Sequence, residues 1–200
     1  MSVQLYDEAF INKLKKWTKD TQVTILTPGE TRNLFAQIAD QNNDKAINLP
    51  IISLSRPGGF TLLQTGSRPL GYAGLTLDAT RESVKSLRAV PISIPYQIDV
   101  YTRYQEEADE YVRNLVYNII NYPRLDVNIP YYDESYIHHS NIKLLGDIED
   151  TSDIPERLVS GQFTRMSMSL VVDDAYLFDI KYRKSKVICP SCVDVVVEDN

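Results

Sequence analysis

The chain has 200 residues, 43% of them hydrophobic, and a formal net charge of −6. That length and apolar share suffice for a single α+β domain with an elaboration. The acidic balance speaks against a reader of nucleic acid, which neutralises phosphates with clustered Lys and Arg. No N-terminal apolar run reaches signal-peptide length, and none elsewhere approaches the roughly 20 residues that span a bilayer. The expectation is a soluble, cytosol-made protein with no membrane partner.

In residues 6–17, Phe10, Ile11, Leu14 and Trp17 recur at helical spacing, which predicts an amphipathic helix whose apolar face serves as core or subunit contact. Lys13, Lys15, Lys16 and Lys19 fall on its solvated side. Residues 22–27 form a short β-branched run stopped by Pro28-Gly29, and residues 31–40 carry a second helical pattern. The apolar stretch 49–54 opens with Leu-Pro, so its proline belongs on an edge or at the first residue of a strand.

Residues 56–80 contain Pro57, Gly58, Gly59, Gly66, Pro69, Gly71 and Gly74 among leucines and aromatics, the pattern of an extended loop or hairpin. Segments of this length inside a compact domain commonly order against a partner, so an interface arm is expected in preference to a mobile loop.

Ile92, Ile94, Tyr96, Ile98 and Val100 alternate with Ser93, Gln97, Asp99 and Tyr101, which predicts a long strand with one apolar face. Pro91 and Pro95 call for an edge position or a bulge at its start. Residues 105–122 follow as a helix, with Ala108, Tyr111, Val112, Leu115 and Ile119 on one side. Glu106, Glu107, Asp109 and Glu110 oppose the positive end of its dipole, and Pro123 stops it. Two strands are then expected over 125–131 and 141–145, separated by a polar turn holding His138 and His139. An acidic connection covers 147–156. Residues 166–172 alternate as a strand, and Asp173-Asp174 read as a turn into 176–182, a β-hairpin. The apolar stretch 193–197 reads either as a strand added to a neighbouring subunit or as a frayed tail. The whole corresponds to one α+β domain over residues 1–180, a mixed and mainly antiparallel sheet flanked by helices, with an arm at 56–80 and an extension at 181–200.

Reactive constellations are scarce. There is no G-x-S-x-G elbow, Walker loop, H-E-x-x-H pair or dinucleotide fingerprint, so no catalytic residue, cofactor or metal is assigned and an enzyme is not expected. Asp147, Glu149, Asp150 and Asp153 are a solvated acidic connection before they are a metal-dependent hydrolase. Cys189 and Cys192 form one C-P-S-C pair. It reads as incidental thiols, as half of an intersubunit metal or disulfide site, or as a redox pair outside its usual setting. Thirteen tyrosines stand against five phenylalanines. That excess fits partly wet contact surfaces or, equally, the strand preference of tyrosine.

The string Y-Q-I-D-V-Y-T-R-Y-Q-E-E at 96–107, a long strand passing straight into an acidic helix start, resembles the tail terminators, or tail-sheath stabilisers, of contractile-tailed bacteriophages. Leu49-Pro50-Ile51-Ile52-Ser53-Leu54 is similar to that family's leucine-proline strand entry. The alternating Ser and apolar residues of 165–178 are similar to its late hairpin. The resemblance covers about residues 49–180. The C-terminus departs from the proline-rich extension of some members, and the C-P-S-C pair is foreign to the family.

The resemblance implies a virion protein at the junction of tail and neck. It implies a hexameric ring that caps the tail tube, holds the last ring of the sheath, ends tail polymerisation and offers a face to the neck and head-completion proteins. DNA would pass through its lumen without sequence-specific binding, as an acidic wall allows. Another neck or head–tail connector is the alternative. Phe60, Tyr72 and Trp17 are the candidate intersubunit anchors, and Arg103 and Tyr104 organise either the core or a subunit contact.

Overall fold

The computed structural model describes residues 2–31, 49–63, 70–77, 84–131, 134–152 and 163–178. Of the helical pattern expected at 31–40 all but Thr31 lies outside them, as does the whole C-terminal segment from 179, with Cys189 and Cys192.

Helix α1 (Ser2–Trp17) buries Tyr6, Phe10, Leu14 and Trp17 along one stripe, and Lys15 and Lys16 meet the negative end of its dipole. Helix α2 (Gln105–Asn121) buries Ala108, Val112, Leu115 and Ile119, and the backbone N–H of Tyr122 closes its last turn on the Asn118 carbonyl just before Pro123. Both helices lie on the same apolar sheet face, where Ile52, Leu54, Ile94, Ile98, Met168 and Leu170 form the main core.

The sheet runs β1 (Thr24–Leu26), β2 (Ile51–Ser55), β5 (Val84–Thr102), β8 (Thr164–Phe178), β7 (Glu134–Asp150) and β6 (Arg124–Tyr131). Among the described strands only β1 and β2 pair in parallel. Along one edge of β5 three strands stand end to end: β2 against 97–101, β3 (Thr61–Leu62) against Ile92 and Ser93, and β4 (Leu70–Leu77) against 84–89. On its other edge β8 pairs from Ala89 to Thr102. Among the described residues, β4 and the first five residues of β5 therefore form a two-stranded ribbon beyond the reach of β8. The architecture is α+β with a mixed, mainly antiparallel sheet, as the residue patterns predict.

Three local expectations, a hairpin, a histidine turn and an acidic loop, are corrected, and the prolines are placed by a bulge and a strand start. Residues 164–178 are one strand, not a hairpin: between the pairs Ile94↔Val172 and Ile92↔Ala175, β5 advances two residues and β8 three. The extra residue is a bulge, and Asp174 takes φ +56 there. The parity change lets both Val172 and Ala175 face the core. This bulge also falls between Pro91 and Pro95, so β5 accommodates them as an interior strand and no edge is needed. Pro50, joined to Leu49 by a cis peptide bond, precedes the first residue of β2, which is likewise interior. His138 and His139 lie within β7, across from Val127 and Asp126, because β7 pairs with β6 all the way from Glu134 to Asn141. Asp147, Glu149 and Asp150 also belong to β7, past a bulge at Gly146 (φ +67), and not to a loop.

Candidate assembly interface

The five residues singled out from the sequence do not share one surface. Trp17 is 8% exposed. Its carbonyl accepts from Asn114 Nδ2 of α2 at 3.2 Å, and Lys13 Nζ sits 5.2 Å from its ring. It is a core residue joining the two helices, and its ring is withheld from any partner. Phe60 is exposed beside the equally exposed Leu62 and Leu63, an apolar cluster at the base of the arm. Tyr72 lies in β4, in the irregular stretch between the pairs Gly71↔Arg88 and Leu75↔Ser86. The described strands of the arm, β3 and β4, thus pair along β5.

Arg103 and Tyr104 are both exposed at the turn from β5 into α2, Tyr104 by 67%. The Tyr104 carbonyl accepts from Thr102 Oγ1 at 2.8 Å and from the Ala108 N–H at 3.2 Å, which fixes the turn through its backbone. The ring is left outward.

Sequence reasoning missed the outer face of α2. Tyr117 and Ile120 lie off the 108/112/115/119 stripe and are more than half exposed, with Tyr122 beside them. The helical wheel carries that signal, since two large apolar residues fall opposite the core stripe. A cleft of about 630 Å³ runs along the same face, lined by Thr18 to Asp20 and by Glu107, Glu110, Tyr111 and Tyr117. Tyr111 donates to Asp20 across it at 2.7 Å.

Also unforeseen is a buried charge on the second sheet face. Asp99 is 1% exposed, stands across from Ser53 on β2 and Ser167 on β8, and accepts from the Ser167 hydroxyl and, at 2.8 Å, from Gln97 Nε2. Arg165 lies 3.5 Å from its other oxygen and 5.5 Å from the Tyr101 ring centre. Thr151 contacts Ser167 at 2.7 Å. This chain of polar groups ties β5 to β8 and to the end of β7. With Gln97, Asp99, Arg165 and Ser167 placed by strand register, it is a structural network.

Two further titratable groups are perturbed by position. Burial raises the pKa of Asp7, against the lowering effects of the Tyr96 hydroxyl and of Arg56 at 3.2 Å. Burial lowers that of His138, whose ring sits among Tyr6, Tyr176 and Phe178 and whose Nε2 lies 2.7 Å from the Asp174 carbonyl at the bulge. Among the described residues no group of three His, Cys, Asp or Glu is gathered to hold a metal, and no helix is long and apolar enough to cross a membrane.

No protein-family model matches the chain, and the search of curated proteins finds no matching relative.

Proposed function

We propose that the chain is a non-enzymatic assembly protein of a contractile phage tail, the terminator that caps tube and sheath as a ring at the neck. The observation that carries this reading is the ribbon of β4 and early β5, two-stranded among the described residues, with Phe60, Leu62 and Leu63 exposed at its base. A two-stranded ribbon is marginal in water by itself, and an exposed apolar cluster beside it fits a surface that is covered in an assembly. The strand-to-helix string at 96–107 that resembles the terminators supplies the class of assembly; the structural role needs neither cofactor nor metal. A homo-hexamer would meet the tube protein below, the sheath protein around it and the neck proteins above, inside the virion, with DNA passing through.

Light scattering over a concentration series, with and without tail tubes of the encoding phage, tests this. Rings of about six subunits, or caps on the tube ends in electron micrographs, support it. A chain that stays monomeric and ignores tubes removes it in favour of a neck adaptor.

A further inference from the structure

The ladder between β7 and β8 runs from Asp150↔Met166 to Asn141↔Asp173 and stops there, although β8 continues to Phe178 and β7 begins at Glu134. Beyond it, side chains take over. Tyr6 of α1 donates its hydroxyl to the Tyr176 carbonyl at 3.3 Å and accepts from the Tyr176 N–H at 2.8 Å. The Asp174 carbonyl accepts from Ser140 Oγ at 3.1 Å and from His138 Nε2 at 2.7 Å. On this side the last residues of β8 are held to the body of the fold by a phenol, a hydroxyl and an imidazole in place of a strand.

A carbonyl only accepts, so its contact with His138 fixes a proton on Nε2, and the neutral ring already supplies it. A second proton adds charge but no bond at Asp174. The residue is 4% exposed, enclosed by Tyr6, Tyr176 and Phe178, with Val127 across from it on β6. Two other titratable groups act on it electrostatically: the Asp174 carboxylate favours an imidazolium, and neighbouring His139, itself 2.7 Å from Asp126, opposes one. Burial outweighs them. Asp174 is also held at φ +56, a backbone that residues with a side chain seldom keep without such restraints.

We infer that residues 174–178 form a latch that a proton on His138 releases. An imidazolium in this enclosure is solvated only when the strand end lifts, and lifting also relaxes the left-handed backbone of Asp174. Linkage sets the sign. Burial depresses the folded pKa of His138 below the ordinary 6.5, so the latch is held above that value and weakens as pH falls toward the folded one. Each pH unit below 6.5 favours the open form by up to about tenfold. Opening uncovers the side of β5 that 175–178 occupy, from Ala89 to Ile92, an edge that another strand can pair with. The latch does not depend on the assembly reading.

Amide hydrogen exchange followed by NMR on the full chain tests this, with protection corrected for intrinsic exchange at about pH 7.5 and about pH 5.5, on either side of the imidazole midpoint. The Tyr176 amide is expected to be less protected than those of Met168 and Leu170 at both, and to lose a further severalfold, up to about tenfold, at the lower pH. His138→Gln, whose amide can still donate to Asp174 but cannot ionise, abolishes that loss. Should this variant fail to fold, Tyr6→Phe decides: it lowers Tyr176 protection at both pH values and keeps the loss between them. Tyr176 protection equal to that of Met168 and Leu170, protection that ignores pH, or the same loss in His138→Gln overturns the inference.

Discussion

Tyr96 on β5 donates its hydroxyl proton to the carboxylate of Asp7 on α1 at 2.7 Å, fastening the N-terminal helix to the middle of the central strand. Arg56 reaches the same carboxylate from the end of β2, so three elements meet at one half-buried acid. Tyr96→Phe keeps the ring and its edge contact with Phe10, 5.0 Å between centroids, but removes the donor. A loss of about 1–3 kcal/mol is expected in urea unfolding. The pKa of Asp7 is raised in the folded chain, chiefly by burial. Its contribution is therefore most favourable below its unfolded pKa and declines as pH rises through the folded value. Asp7→Asn flattens that part of the stability profile; a slope unchanged in the variant assigns it elsewhere.

Removing one member of the pair breaks the polar network that joins β5 to β8 at a buried position. Asp99→Ala is expected to cost about 3–5 kcal/mol, whereas Asp99→Leu combined with Arg165→Met costs far less, since no charge then remains buried. Chemical denaturation of the three chains checks this. Equal losses in the single and double variants would show that packing, and not the pair, sets the cost.

Acid acts on His138 in the opposite sense to Asp7. Burial depresses its pKa below 6.5, so its contribution is present above that value and is lost as pH falls through the folded pKa. An NMR titration of the two imidazoles should place the His138 midpoint below 6.5, with a drop in stability over the same interval. A His138 midpoint at or above 6.5 contradicts the geometry of its pocket.

Phe60→Ala with Tyr72→Ala is expected to weaken assembly while leaving circular dichroism unchanged, because Phe60 is exposed and Tyr72 belongs to the ribbon. Each truncation of an anchor typically costs more than about 1 kcal/mol of association energy. Light scattering at matched concentrations measures it, and undiminished assembly removes the arm from the interface.

The elements most legible in the sequence are those with an uninterrupted period. The 92/94/96/98/100 alternation and the 108/112/115/119 stripe survive unchanged as the central strand and its helix. Asp173-Asp174 misled because the residues that favour a turn also favour the left-handed backbone of a bulge, and one strand absorbs the irregularity when its neighbours on both sides hold the register. The histidine pair read as a turn for its polarity alone; pairing against β6 sends His138 inward and His139 outward. Asp99 and Arg165 were not legible as a buried pair. Alternation reveals one apolar face, and burial of the other depends on chain brought from far along the sequence. Trp17 illustrates the same ambiguity, since core and contact surface use the same residue, and its burial in the folded chain separates them.

The length of β5 has a mechanical consequence. Its hydrogen bonds to β8 lie across the strand direction, spread from Ala89 to Thr102. A pull on the ribbon directed along β5 therefore loads them all in shear at once, and rupture requires many to fail together. A pull across the ribbon meets only the β4 pairings and peels them one at a time. The same strand thus behaves as a stiff rod under tension along its axis and as a hinge under sideways load, so the direction of an applied force decides whether the ribbon holds or yields.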